Sequence, residues 1–326
     1  MVRSKLLFIF ILFICVSLVF LGIFIAFSPI DVSEKIVVIK KGSSASEIAN
    51  ILYKNGIIRS RVLFTIYLKF NSSDKLLSFG KYIFKGTLSV RDVVKILVEG
   101  RVSLTKVTIR EGLTLEEALL VIAKQTKTDF NELKRLSYNR DFIKELTNFY
   151  LNSLEGFLYP ETYFVDNDIN EKQVLKIITN YFFSQISKLD FSKQKKLSFY
   201  EILILASIVQ KETVINKEKP LIASVYLNRL RENQKLQADP TIIYFLKKQG
   251  IKRKRVYFKD LKRKSPYNTY LNFGLPPSPI TSPTLSSVRS VLKPKTSKYF
   301  FFMATRDGSH IFAKTFAEHI KNREKR

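Results

Sequence analysis

The sequence has one cysteine, Cys15, and only two histidines, His310 and His319. Cys15 lies inside an apolar run, so the rest of the chain can form neither a disulfide nor a thiolate metal site. Two histidines near the C-terminus leave a zinc site or a His-based triad without partners, and no metal or cofactor is expected. Acid is the third deficit: 28 Asp+Glu stand against 55 Lys+Arg, a net charge of +27. That excess calls for an anionic partner, and nucleic acid, anionic lipid head groups or an acidic wall polymer all fit on charge alone. The bland alternative is a compositional bias that spreads solvated lysines over every face. Residues 31–326 hold no dense Arg/Lys tract interleaved with aromatics, so no nucleic-acid partner is expected.

The chain does have ample apolar residues, 46% of its 326, with 13% aromatic. This is the composition of packed globular protein, with room for an anchor plus one large or two modest domains. No charge falls between Leu6 and Phe27. A helix of that length, rising ~1.5 Å per residue, would span a hydrocarbon core of ~30 Å. Arg3 and Lys5 precede it, so the positive-inside rule puts the N-terminus in the cytoplasm and everything after Ile30 outside. A single-pass protein of the cytoplasmic membrane is expected. A cleaved signal peptide fits less well, since its apolar core would run only ~7–15 residues and Pro29 directly follows Ala26-Phe27-Ser28.

Three stretches share a pattern of β-prone run, Gly, Ser or Thr cap, acidic residue and apolar helix: residues 36–52, 82–97 and 107–122. Ser44 with Glu47 and Thr114 with Glu117 read as capping boxes, which satisfy free N–H groups at a helix start. The first stretch, closed by Gly56-Ile57-Ile58, resembles a LysM-type module, a small fold associated with binding wall polysaccharide. Residues 128–196 read as helical and Lys-rich, broken by a loop over 154–163 at Gly156 and Pro160. Further helix starts are signalled by Ser198 with Glu201, Asp239 with Pro240, and Ser282 with Pro283. Asp307-Gly308 marks a hairpin between residues 299–304 and 310–313, and Thr315 with Glu318 caps a last helix.

On a helix over residues 198–214, Leu205, Ile208, Val209 and Glu212 fall on one side. Glu212 thus extends an apolar stripe, whereas Glu201 is already used as the capping partner of Ser198. Apolar surroundings and the negative end of a helix both favour a protonated carboxyl, which is what a general acid at a glycosidic bond requires. A boundary Glu exposed to solvent is the plainer reading of the same pattern. Asp239 is a second candidate carboxylate, although an N-cap before Pro240 explains it structurally. Gln237, Thr241, Asn268 and Thr269 are suited to bonding sugar hydroxyls. Tyr244, Tyr267 and Tyr270 offer flat faces for pyranose rings. Residues 274–280 (GLPPSPI) form a stiff extended segment fit to wall a groove. His310 reads as a strand surface residue.

Residues 154–163 (LEGFLYPETY), 205–213 (LASIVQKET), 225–230 (VYLNRL), 236–244 (LQADPTIIY), 265–270 (SPYNTY) and 274–280, taken in order, resemble the endolytic murein transglycosylases, the MltG or YceG-like family. The likeness covers nearly the whole chain. It implies a lyase acting on peptidoglycan. One Glu protonates the oxygen leaving C1 of N-acetylmuramic acid, and it, or the carboxylate it becomes, then helps the sugar's own C6 hydroxyl attack C1, which closes a 1,6-anhydro ring without a water nucleophile. The family's catalytic Glu carries over to Glu212. Gln210 stands where many relatives have another Glu, so an acid there is not essential in this chain. Gln237, Asp239, Tyr267 and Asn268 match motif positions expected to line the cleft. The resemblance also implies wall-elongation synthases as neighbours.

The expected architecture is α+β: residues 1–30 as cytoplasmic N-terminus and transmembrane helix, 31–105 as a LysM-like strand–helix module, and 106–326 as a larger mixed α/β catalytic domain. Two other functions remain open on sequence. One is a muramidase-type hydrolase with Glu212 as acid and Asp239 or Asp307 as base. The other is a non-catalytic scaffold that binds peptidoglycan.

Overall fold

The computed structural model describes residues 17, 22, 24–25, 27–40, 42–73, 76–77, 80–99, 104–194, 196–253 and 255–324. The chain divides into two compact units, Met1–Thr105 and Lys106–Arg326. The expected architecture needs correction at its N-terminus. Among the described residues no helix is long and apolar enough to cross a membrane. The longest of them, Glu171–Ile186, has 16 residues and carries Glu171, Lys172 and Lys176 beside its buried face, short of the ~20 apolar residues a span requires. Most of the run over residues 6–27 lies outside the described residues.

In the first unit, β1 (Ile30–Ile39) pairs antiparallel with β2 (Gly80–Leu88), with Ile36 opposite Ile83 and Val37 opposite Tyr82. Helices α1 (Ala45–Lys54) and α2 (Arg61–Phe70) connect the strands, and α3 (Val90–Glu99) follows. The caps are those the sequence signals: Ser44 and Glu47 form a reciprocal box, and Ser89 does the same with Asp92. Gly56 ends α1 at φ +65°, a left-handed turn open to glycine, and drops Ile57 and Ile58 into the core. Along β2 the alternation is sharp, with Tyr82 and Phe84 buried and Ile83 exposed between them. Leu52, Phe64, Leu68 and Leu97 complete this core.

The second unit is mainly helical. Strand β3 (Leu104–Thr108) pairs with β4 (Thr162–Asp166), a strand in a stretch whose pattern reads only as helix and loop. Around this pair come α4 (Leu115–Gln125), α5 (Phe130–Ser137), α6 (Arg140–Thr147) and α7 (Glu171–Ile186). Then follow α8 (Phe199–Glu212), α9 (Lys219–Arg231), α10 (Asp239–Lys248), the short α11 (Phe258–Leu261) and α12 (Leu285–Leu292). The antiparallel hairpin β5 (Phe301–Ala304) and β6 (His310–Ala313) precedes α13 (Phe316–Glu324). Among the described residues the strands form two-stranded ribbons beside the helices, so the unit is mixed α/β, with its core between helices.

Helix α8 is the axis of this unit. Every residue from Ile202 to Gln210 is buried, as α9, α10 and α12 pack around it. A helix apolar on all sides must lie inside a core rather than on its surface. Ser198 caps its start in a reciprocal box with Glu201. Its last residue is Glu212.

Candidate active site

Glu212 ends α8 at the floor of an open cleft of about 470 Å³, lined also by Tyr226, Arg229, Gln237, Asp239, Tyr270, Phe302, His310, His319 and Arg323. Tyr226 and Arg229 sit three positions apart on α9, so one helical face aims both at the cleft. The buried Tyr226 hydroxyl donates to Glu212 Oε1. Arg229 is held rigidly: Nε donates to the Phe300 carbonyl at 2.7 Å, and Nη1 donates to the Leu236 carbonyl at 2.6 Å and to Gln237 Oε1 at 3.4 Å. Such multiple bonding suits the planar guanidinium fork.

Burial pushes the Glu212 carboxyl up to about 7. The Tyr226 hydrogen bond opposes this, the Asp239 charge adds to it, and Arg229 pulls the other way. Burial is the largest of these effects, so a good part of the Glu212 population keeps its proton at neutral pH. Burial likewise raises the Tyr226 hydroxyl far above its usual range and lowers the Arg229 guanidinium.

Asp239 does not cap α10. The N-cap is Ala238, and Asp239 is the first helical residue, its carboxylate free of any capping bond. Instead Asp239 Oδ1 accepts from the Tyr270 hydroxyl at 2.6 Å. The turn that makes this possible starts at Gln237, whose φ of +50° is left-handed, a costly conformation for a residue with a Cβ. It is fixed by bonds from the Gln237 N–H to the Thr269 carbonyl (3.0 Å) and from the Ala238 N–H to Thr269 Oγ1 (2.9 Å). Backbone strain held by such bonds is a recurrent property of functional sites.

The nine residues singled out in the sequence therefore separate. Glu212, Gln237, Asp239 and Tyr270 meet at the cleft. Thr241 and Thr269 are buried, their hydroxyls 3.0 Å apart beneath the Gln237 turn. Asn268 is also buried; its amide donates to the Leu261 and Arg263 carbonyls and its Oδ1 accepts from the Tyr270 N–H, which positions Tyr270. The rings of Tyr244 and Tyr267 meet in a different place, tilted at 53° with centroids 4.9 Å apart. There Tyr244 donates to the buried Glu155 (3.0 Å), and Tyr267 shares a 2.7 Å bond with Ser278. Glu155, from the LEGFLYPETY motif, also accepts from the Leu115 N–H at the start of α4 (2.9 Å), and burial raises its carboxyl to about 7.

Tyr226, Arg229 and His310 escaped the sequence reading. The first two stand in the VYLNRL motif, where their i, i+3 spacing was the available signal. His310 is no strand surface residue: its side chain is only 5% exposed and its Nδ1 lies 2.7 Å from Glu218 Oε2. Nothing local announces that pair, since 92 residues separate its members. Asp307, the other acid weighed as a base, lies in the exposed hairpin turn. Bonds from Thr305 and Ser309 lower its carboxyl to about 2, and it is not among the cleft's lining residues.

Gln210, two residues before the end of α8, is structural. Its Oε1 accepts from the Thr284 N–H (3.2 Å), the Thr284 hydroxyl (2.7 Å) and the Ser287 hydroxyl (2.6 Å), and its Nε2 donates to Glu111 (2.9 Å). An amide meets both demands at once, which an ionised carboxylate cannot.

The chain is 33% identical over 321 residues to the endolytic murein transglycosylase of Bacillus subtilis, covering 91% of this chain and 87% of that protein. It is 30% identical over 332 residues to the endolytic murein transglycosylase of Streptococcus pneumoniae strain R6, covering 90% of this chain and 59% of that longer protein. A crystal structure of a YceG-like protein from Listeria monocytogenes superposes with a TM-score of 0.61 at 32% identity, over 89% of this chain and 98% of that one. With residues 37–325 matching the YceG-like family, the chain belongs to that family.

Proposed function

We infer that this protein is an endolytic peptidoglycan lytic transglycosylase, which cleaves the bond between N-acetylmuramic acid and N-acetylglucosamine inside glycan strands and leaves 1,6-anhydro ends. One observation carries the reading: a carboxyl held near neutrality at the floor of an open cleft, on the residue the family resemblance assigns as catalytic. Glu212 is the general acid for the departing oxygen. Gln237, Asp239 and Tyr270 are the sugar-contacting residues, while Thr241, Asn268 and Thr269 support them from behind; Tyr244 and Tyr267 belong to the separate Glu155 cluster. The ring closes on the sugar's own C6 oxygen, so no second carboxylate is needed to activate water.

The first unit reads as a LysM-like holder of wall polysaccharide. Its strand–helix–helix–strand order with antiparallel outer strands supports this. So does a groove of about 480 Å³ lined by Ser46, Asn50, Arg61, Thr65 and Lys69 among others. The +27 charge suits an anionic wall polymer. The protein works on the outer side of the cytoplasmic membrane, where this polymer lies, next to wall-elongation synthases. A reporter fused to the C-terminus should be active only outside the cytoplasm, and co-purification tests the synthases.

The decisive experiment replaces Glu212 with Gln in the full chain and digests purified glycan strands. The wild-type protein should release fragments whose new ends weigh one water less than hydrolysis products. Glu212→Gln should lose this by ~10²-fold or more. Unchanged release of anhydro ends by Glu212→Gln would refute the assignment.

A further inference from the structure

His310 lines the wall of the Glu212 cleft, and Glu218 pairs with it from behind. Glu218 stands at the N-cap of α9, yet its side chain makes no capping bond. It reaches across to the first residue of β6 instead. Its Oε1 accepts from the His310 backbone N–H at 3.0 Å, and its Oε2 lies 2.7 Å from His310 Nδ1. Two bonds from one carboxylate fix both the backbone and the ring, so the imidazole cannot turn freely.

Packing fixes it further. The ring meets Phe302 edge-on, with centroids 5.6 Å apart. Phe302 in turn meets Tyr226 at 5.7 Å and 89°. Tyr226 is the hydroxyl that bonds Glu212. A continuous row of rings thus ties the imidazole to the general acid, and both residues line the same cleft. With Nδ1 engaged by Glu218, Nε2 is the nitrogen left to act there. A carboxylate behind a histidine sets which nitrogen holds the proton and stabilises the imidazolium that forms when the other accepts one.

We propose that His310, oriented by Glu218, is the base that takes the proton of the C6 hydroxyl during ring closure. This deepens the transglycosylase reading and rests on it. The step balances as follows. The Glu212 proton passes to the glycosidic oxygen, and the bond from C1 to that oxygen breaks with its electron pair going to the oxygen. A lone pair on the C6 oxygen forms the new bond to C1, and the C6 hydroxyl proton moves to His310 Nε2. The products are the anhydro end and a free hydroxyl on the neighbouring sugar. Glu212 is left ionised and His310 cationic, and proton exchange with solvent resets both. The division of labour has a physical reason. A carboxyl with a pKa raised towards 7 suits donation, and a separate base need not wait for that donation to finish.

The test uses full-length protein and purified glycan strands, with His310→Gln, His310→Ala, Glu218→Gln and Glu212→Gln compared with wild type. His310→Gln should lower kcat by ~10²-fold while KM moves less than about threefold, as expected when an interaction made only in the transition state is removed. Glu218→Gln should lower kcat by ~10-fold through loss of imidazolium stabilisation. Added free imidazole should restore turnover to His310→Ala, which a merely structural role would not allow. Retention of wild-type kcat by folded His310→Gln would overturn the proposal, as would imidazole failing to restore folded His310→Ala. If the His310 variants melt below the assay temperature, Glu218→Gln decides: a normal kcat overturns the proposal. Wild-type strands ending in ordinary reducing sugars, or an active Glu212→Gln, would instead overturn the transglycosylase reading itself.

Discussion

Pro279 packs on the α-carbon of Gly156, so that a Cβ at position 156 would stand 2.6 Å from Pro279 Cγ and 2.8 Å from its Cβ. Gly156 also has φ +96°, where side chains are strained. The loop that carries Glu155 and the Pro-rich segment over 274–280 are therefore one packed unit. Gly156→Ala should destabilise the protein by ~2 kcal/mol or more, through overpacking and left-handed strain together. Denaturant titration measures this, and a midpoint equal to wild type would show that Pro279 moves aside freely.

Tyr226→Phe removes the hydrogen bond that holds the Glu212 carboxyl down. Glu212 should then keep its proton to higher pH. A hydrogen bond to a charged group is worth ~1.5–3 kcal/mol, which corresponds to an upward shift of ~1–2 units in the alkaline limb of the rate profile. Digestion of glycan strands between pH 5 and 10 checks this. A limb that stays put or moves down would contradict the role given to Tyr226.

Asp239→Asn should act in the opposite sense. The Asp239 charge raises the Glu212 carboxyl, so its removal should move the alkaline limb to lower pH. The Asn carbonyl can still accept from the Tyr270 hydroxyl, which keeps the turn in place. The same pH series measures it, and the double variant Tyr226→Phe/Asp239→Asn should lie between the two single ones.

Glu155 offers a stability test away from the cleft. Burial raises its carboxyl from 4.5 to about 7. Between those values the folded chain holds a proton that the unfolded chain has lost, so stability falls as pH rises across that window and levels off above about 7. The full effect is up to about 3 kcal/mol. Glu155→Gln removes this slope, so its stability relative to wild type should improve from pH 4 to pH 8. Thermal melts across that range check it; a difference independent of pH would mean that Glu155 titrates normally.

Most local helix-start signals hold, but Ser282 with Pro283 does not, since that helix begins at Leu285 behind Thr284. Ser44, Thr114 and Ser198 each announce a helix start that the fold uses, because a cap needs only residues three apart. The stripe that ends in Glu212 was legible for the same reason. Asp239 shows the limit. Asp-Pro reads as a cap, but the left-handed Gln237 and the bond from Thr269 shift the helix start by one residue. That bond joins residues 31 apart. The anchor, expected from hydropathy alone, has no counterpart among the described helices. The Glu218–His310 pair, 92 residues apart, exists only in three dimensions.

The depth of α8 has a mechanical consequence. The acid is mounted on a post buried along Ile202–Gln210, and a post so embedded does not yield to a bulky polymer. The facing side of the cleft is supplied by β5, β6 and α13, and α13 has no buried residue at all. His310 is the fixed point of that side, because Glu218 at the start of α9 bonds both its backbone and its ring. The imidazole therefore keeps its place beside the post, and only the outer rim formed by α13 is free of the core.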